Sequence, residues 1–143
     1  MLTQEKKQEL FTNALNGVVG QGGYAFGVPK DVPLAAPPGC YYRLFLPDGR
    51  ALKCGIGHSI PDERYDPAME GQDVCSVAVL DALGLLEELT RMDVCADDFD
   101  RVHDRSFLNR LQNLHDGCAR ARMDMSEFIV CMTTFAAKEG LIL

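Results

Sequence analysis

A Pro-Asp-Gly-Arg turn flanked by two apolar runs is the strongest local signal in this chain. The turn occupies residues 47–50 and separates an alternating apolar run at 41–46 from a shorter run at 51–54. Asp-Gly between two such runs is typical of a tight β-hairpin. We therefore predict a hairpin over residues 41–54 that ends at Cys54.

Cys54 begins a short segment with two glycines and a helix stop. Gly55 and Gly57 allow close approach of the backbone to its neighbours, and Pro61 ends any helix that starts at Cys54. We predict that Cys54 and Ile56 lie in the core where the hairpin meets the helices. A thiol at a helix start can be acidified and reactive, whereas a thiol flanked by apolar residues is more often a small buried side chain. Both interpretations remain open.

The segment 53–71 also resembles a known family. It reads KCGIG at 53–57, IPD at 60–62, Tyr65 and MEG at 69–71. This is similar to the signature K-C-A-I-G-x-x-I-P-D-x-x-Y-x-x-x-M-E-G of small uncharacterised proteins encoded by tailed phages, prophages and their bacterial hosts.

The resemblance extends to a later helix, where the family has L-Q-x-x-H-D and this chain has LQNLHD at 111–116. In total it covers about half of the chain. The chain departs from the family at Gly55, usually alanine, and at His58, often cysteine. The resemblance implies a phage-related origin and a shared architecture, and it brings no named activity.

Apolar periodicity predicts four helices, each with a recognisable cap. They are expected at 4–19 after Thr3, at 74–90 after Asp73, at 106–120 with Ser106 as cap, and from Ser126 or Asp124 up to Gly140. In the second of these, Gly84 is a candidate site for a close contact or a kink, and a strand over 76–80 is the alternative for its start.

Two other segments are predicted to be irregular. The segment 24–39 contains four prolines and is predicted to be a surface loop, either a binding element or a stiff connector. The acidic segment 93–104 is predicted to be a solvated loop, and its carboxylates lack the spacing of a calcium-binding loop. The final residues 141–143 are expected to fold back onto the core.

The fold class that follows is α+β and mainly α, with about four helices packed around one β-hairpin. We predict a single globular domain over residues 1–143. Its parts are the loop 24–39, the hairpin 41–54 and a helical core over 74–139.

Charge and hydropathy argue against a nucleic-acid-binding, membrane-spanning or exported protein. The net charge is −7 and the pI is about 4.8. Because proteins that bind nucleic acid concentrate Lys and Arg, direct binding to nucleic acid is not expected. No apolar run reaches the roughly 18 residues of a membrane helix, and residues 1–10 lack the apolar core of a signal peptide. We expect a cytoplasmic protein of a bacterial host cell whose six cysteines are thiols.

A cysteine-dependent hydrolase is the enzymatic hypothesis. Cys54 would be the nucleophile and His58 or His115 the base. Asp116 or Asp104 would orient the imidazole, as in a catalytic triad.

A metal site is a further hypothesis. Cys54 and His58 are one helical turn apart, as are His115 and Cys118, so each pair can present two ligands on one face.

The interpretation that we favour from sequence needs no active site, metal or cofactor. The chain has no phosphate-binding loop, nucleotide fingerprint or basic patch. We expect a non-enzymatic protein that binds a host or phage protein, for instance as an inhibitor of a defence or regulatory complex. The sequence leaves the partner and the oligomeric state open.

Overall fold

A computed structural model describes residues 2–29, 39–87 and 98–143, and in the last range it describes side chains from residue 106 onward. Its regular elements in chain order are α1 (Gln4–Gln21), β1 (Phe26–Gly27), β2 (Gly39–Cys40), β3 (Arg43–Phe45), β4 (Ala51–Lys53), α2 (Val77–Ala82), α3 (Asp98–Arg120) and α4 (Met125–Glu139). Short 3-10 turns lie at Ile56–Ser59, Asp62–Arg64 and Pro67–Met69. The predicted α+β, mainly helical class is confirmed.

The predicted hairpin is confirmed as the antiparallel pair β3–β4. Leu44 pairs with Leu52 at its centre, and the turn closes with Gly49 at a φ of 87°. Only glycine adopts such a backbone angle without steric conflict, which explains the Asp-Gly signal.

A second antiparallel pair, β1–β2, was not predicted. Phe26 pairs with Cys40 and Gly27 with Gly39, so the two ends of the predicted 24–39 loop are joined. Strands of two residues are too short to produce an alternating pattern, which is why the sequence gives no signal for them. The rest of that predicted loop, 30–38, lies outside the described residues.

The first helix agrees with the prediction at its start. The Thr3 hydroxyl accepts a hydrogen bond from the Lys6 amide at 3.1 Å, and α1 continues to Gln21 rather than stopping at residue 19. Gly22 then ends the helix with a φ of 71°. The face of α1 turned to the core carries Leu10, Phe11, Ala14 and Val18.

The predicted single helix over 74–90 is wrong. The helix α2 is only six residues long and is capped by Ser76, while the Asp73 carboxylate instead accepts from the Cys75 amide in the preceding turn. Gly84 follows with a φ of 70°, a left-handed conformation that no helix can continue through. Apolar periodicity does not reveal such a break, because buried residues on both sides keep the spacing. The positions 88–90 lie outside the described residues.

The predicted start of the next helix at Ser106 is also wrong. The helix α3 begins at Asp98, and Ser106 lies inside it with its hydroxyl hydrogen-bonded to the Arg110 guanidinium. The part of the predicted acidic loop from 98 onward is therefore helical, and 93–97 lie outside the described residues. Aspartate is a weak helix former but is favourable in a first turn, where it complements the helix dipole.

The last helix has the predicted boundaries at both ends. Asp124, not Ser126, is the cap: its carboxylate accepts from the Glu127 amide, and the Glu127 carboxylate accepts from the Asp124 amide, both at 2.9 Å. Gly140 ends α4 with a φ of 67°. Of the last three residues only Leu141 is buried, so the expectation that 141–143 all pack on the core is only partly correct.

One hydrophobic cluster joins the described helices and the hairpin. Its largest fully buried side chains include Phe11, Phe107 and Phe128. Cys54 and Ile56 are fully buried in the same cluster, as the sequence predicted. Among the helices of the described segments, none has the length and apolar character needed to cross a bilayer.

At Gly57 the packing leaves no room for a side chain. A Cβ placed on it would lie 2.2 Å from the Tyr42 carbonyl oxygen, which also accepts the Cys54 amide at 3.3 Å. We expect Gly57→Ala to lower the free energy of unfolding by about 1–3 kcal/mol, because backbone must move away from backbone.

Gly20→Ala in α1 is the matched control, since nothing lies within 4 Å of its added Cβ. It should raise the free energy of unfolding by about 0.5–1 kcal/mol. Urea denaturation followed by circular dichroism measures both changes. Equal effects of the two substitutions would contradict the close approach at Gly57.

Candidate functional site

The 3-10 turn Ile56–Ser59 lies between α1 and α3, and two glycines make room for it. A Cβ on Gly17 of α1 would lie 2.2 Å from the His58 ring, so that ring occupies the space that a side chain would fill. Gly55 faces Ala14 of α1 and His115 of α3. The turn therefore brings together the cysteine and both histidines that the sequence singled out.

The Cys54 thiol is fully buried and hydrogen-bonded on both sides. Its Sγ accepts the Gly57 amide at 3.2 Å, and its S–H donates to Oε1 of Gln112 at 3.4 Å. Burial raises the pKa of the Cys54 thiol to about 12, against smaller opposing effects of these hydrogen bonds. A reactive cysteine needs a depressed pKa and access to solvent, and Cys54 has neither.

His115 is paired with Asp116, as the triad hypothesis required. Their Nδ1 and Oδ1 atoms are 2.9 Å apart, and Gln112 donates from Nε2 to the same oxygen at 2.7 Å. A carboxylate only accepts, so the His115 Nδ1 donates. Gln112 thus stands between the thiol and the His115–Asp116 pair.

Gln112 is the residue that sequence reasoning missed. It precedes Asp116 by one helical turn, and it belongs to the segment 111–116 that carries the family resemblance. That spacing places the amide and the carboxylate on one face of α3. The signal was present, but nothing in the sequence indicated that this face would meet Cys54.

The His58 imidazole does not bond to the Cys54 thiol; only the His58 backbone amide reaches Cys54, donating to its carbonyl at 3.1 Å. The hydrogen bonds of the Cys54 side chain within the described residues go to Gly57 and Gln112. The His58 Nε2 is buried and has no partner among the residues that the structure describes. Burial first, then the nearby charge of Lys53, lowers the pKa of His58 to about 4.

The predicted metal ligands lie in one region but are not arranged to bind one ion. Among the residues that the structure describes, no three side chains of His, Cys, Asp or Glu are grouped so that they could hold a metal ion. Cys54 is engaged with Gln112, His115 with Asp116, and Cys118 with Cys131 of α4.

The motif at 53–71 ties the hairpin to the turns that follow it. Glu70 accepts the backbone amides of Tyr42 and Arg43 and the Tyr65 hydroxyl, each at 2.9 Å. Asp62 accepts from Lys53 at 2.9 Å and forms an ion pair with Arg43 at 2.8 Å. The charged groups of this motif are therefore used in holding the fold together.

A polar pocket of about 200 Å³ lies beside the Cys54 network, between the hairpin side and α3. Its walls include Cys40, Glu70, Asp73 and Asp116. All three carboxylates already accept hydrogen bonds within the chain. Burial, followed by the Asp116 charge, raises the pKa of the Cys40 thiol to about 12, so this pocket holds no ready nucleophile.

No protein-family model, curated protein or solved structure matches the chain. The family resemblance of residues 53–71 therefore stays a prediction.

Thiol alkylation tests the buried state of Cys54. In native protein near neutral pH we expect iodoacetamide to leave Cys54 unmodified until the chain unfolds, because the thiol is inaccessible and protonated. Cys131, which is partly exposed, is the internal control and should be modified in the native state. Peptide mass spectrometry locates each adduct, and native modification of Cys54 at the rate of Cys131 or faster would contradict this description.

The half-buried His58 ring predicts a loss of stability in acid. Its folded pKa of about 4 lies below the usual histidine value of 6.5, so the unfolded chain binds the proton first as the pH falls. Because solvent screens a half-buried ring, we expect the free energy of unfolding to fall by only roughly 1–2 kcal/mol between pH 6.5 and pH 4 through this residue alone. The measurement is urea denaturation across this range in the wild type and in His58→Gln. If both proteins lose the same stability, the assignment to His58 is wrong.

Proposed function

We propose that this protein is a non-enzymatic binding protein, and that a host or phage protein packs on the outward face of α4. We name this surface the α4 outer face and define it as Ile129, Val130, Thr133, Thr134 and Ala137. The observation that carries the proposal is the apolar character of this exposed surface.

Two aliphatic side chains form its centre. Val130 is 64% exposed and Ile129 is 40% exposed. The two threonines that follow direct their hydroxyls to the helix backbone: Thr133 donates to the Ile129 carbonyl at 2.8 Å and Thr134 to the Val130 carbonyl at 3.0 Å. Because both hydroxyls already donate hydrogen bonds within the helix, a partner can cover this face without supplying acceptors for them.

The opposite side of α4 is already used in the core through Phe128, Met132, Phe135 and Ala136. The helix is therefore apolar on both sides, with its charged residues Glu127, Lys138 and Glu139 confined to the ends. A helix of this kind is normally covered on both sides, because a contiguous apolar surface is unfavourable in water.

The partner is expected to be a different protein with a basic rim around an apolar centre. A net charge of −7 opposes close association of two copies and favours a positively charged partner. The resemblance to phage and prophage proteins suggests a host or phage protein as the class of partner, such as a component of a defence or regulatory complex.

The cysteine-hydrolase alternative has less support. Cys54 is buried, its pKa is raised to about 12, and its S–H donates to Gln112 rather than to an imidazole. The charged residues of the surrounding motif are engaged in structural hydrogen bonds, which favours an architectural role for the motif.

A pair of exposed valines tests the proposal. Val130→Lys places a charge at the centre of the α4 outer face, and Val77→Lys is the control because Val77 of α2 is 66% exposed. Both variants should remain folded, since surface substitutions change stability little. In affinity capture from bacterial lysate with quantitative mass spectrometry, one protein should be retained by the wild type and by Val77→Lys. We expect Val130→Lys to lose it by at least about tenfold.

Two results would overturn the proposal. One is a captured protein whose recovery is unaffected by Val130→Lys. The other is self-association in analytical ultracentrifugation that Val130→Lys abolishes, because the α4 outer face would then be covered by a second copy of the chain.

A further inference from the structure

The connection between α3 and α4 has an unusual backbone. Arg122 has a φ of 55°, the only positive φ of a non-glycine residue in the described part of the chain. Around it the Arg122 amide donates to the Ala119 carbonyl and the Met123 amide to the Cys118 carbonyl, both at 3.1 Å. This is the hydrogen-bond pattern of a Schellman helix end, which usually has glycine in the left-handed position. Its effect is to turn Met123 back toward the end of α3 that carries Cys118.

The start of α4 brings a third sulfur to the same place. The capping box of Asp124 and Glu127 fixes the direction in which α4 leaves the turn. Further along this helix, Cys131 points back at the turn, and its Sγ lies 3.8 Å from the Met123 Sδ. The Cys118 thiol lies close enough to Cys131 for the two thiols to interact directly. Two thiols and a thioether from α3, the turn and α4 therefore meet.

We propose that Cys118, Met123 and Cys131 form a binding site for a soft monovalent metal ion of the Cu⁺ type. Thiolate and thioether sulfurs are the ligands that select Cu⁺ over harder ions. Three sulfurs bound trigonally at about 2.3 Å from an ion lie about 4 Å apart, close to the spacing of Met123 and Cys131. The site differs from the predicted Cys54, His58, His115 and Cys118 set and shares only Cys118 with it.

The sulfur cluster is accessible from outside without unfolding. Met123 and Cys131 are both partly exposed. An open pocket of about 460 Å³ has Met123, Tyr24 and Met125 in its walls. An ion can thus reach Met123 through this pocket, while Cys118 closes the site from the buried side.

Tyr24 lies in the wall of the same pocket as Met123. Its hydroxyl is buried and has no hydrogen-bond partner among the described residues, although buried polar groups are nearly always paired. Burial, then the nearby Cys118 and Cys131 thiols, raises the pKa of Tyr24 to about 12, so its O–H stays a donor. A metal-bound thiolate is an acceptor that this hydroxyl can use, and such outer hydrogen bonds commonly support metal ligands.

Binding exchanges protons for the metal without redox chemistry. Free thiols are mostly protonated at neutral pH. When Cu⁺ binds, each thiol loses its proton to solvent and forms an S–Cu bond, and the methionine sulfur contributes a lone pair. Copper enters and remains as Cu⁺. The apparent affinity should therefore increase with pH.

The test is a titration of the fully reduced full-length chain with Cu⁺ under anaerobic conditions, in competition with bicinchoninate. We expect one equivalent to be retained with sulfur ligands in X-ray absorption spectra, and bound metal to raise the urea midpoint. Cys131→Ser should weaken retention by more than about tenfold, and Met123→Leu should weaken it measurably, because changes even in the outer shell of a metal site have effects of 10–100-fold.

Matched controls separate this site from the other thiols. Cys75→Ser removes another partly exposed thiol, and Met125→Leu removes the other methionine of the same pocket. Both should retain Cu⁺ as the wild type does. Cys118→Ser is a secondary variant because that side chain is buried and its loss can affect folding. Equal weakening by Cys75→Ser and Cys131→Ser, unchanged retention in Cys131→Ser, or preferential retention of Zn²⁺ would each overturn the proposal.

Discussion

The close packing of the Ile56–Ser59 turn is the constraint on which the rest of this structure depends. Gly57 lies against the Tyr42 carbonyl, and the His58 ring fills the space beside Gly17 of α1. Because backbone meets backbone at Gly57, small displacements there are not absorbed by side-chain rotation. The hairpin and α1 are thereby held in one arrangement, and α3 packs against the same turn through His115.

In this arrangement, polar residues that the sequence suggested as catalytic or metal-binding instead form hydrogen bonds within the fold. Cys54, Gln112, Asp116 and His115 form one hydrogen-bonded chain in the interior, and Glu70 supports the edge of the hairpin. Polar groups that are hydrogen-bonded to one another in this way help to specify a unique fold, and the buried Cys54 thiol is poorly placed to react with a substrate. Within the described residues, α4 carries an exposed apolar outer face, and its Cys131 Sγ lies 3.8 Å from the Met123 Sδ at the α3–α4 turn.

The sequence predictions were accurate where the interactions join residues close in sequence, and they failed where the interactions join distant residues. The Asp-Gly hairpin and the Thr3 and Gly140 caps depend on a few neighbouring residues and were predicted well, and Asp124 was one of two predicted caps of α4. The helix expected at 74–90 failed because apolar periodicity does not register the left-handed Gly84. The burial of Cys54 was anticipated, but its partner Gln112 was not, since fifty-eight positions separate them and only tertiary packing joins them.

The sequence by itself determined the class of fold, the position of the hairpin, the caps of the terminal helices and the acidic charge. Each of these is set by residue type or by hydrogen bonds within a few residues. The tertiary structure alone decided that Cys54 bonds to an amide rather than an imidazole, that Cys131 meets Met123, and that one side of α4 stays exposed. These outcomes depend on how separate helices pack, and helix periodicity identifies an apolar face without identifying what covers it.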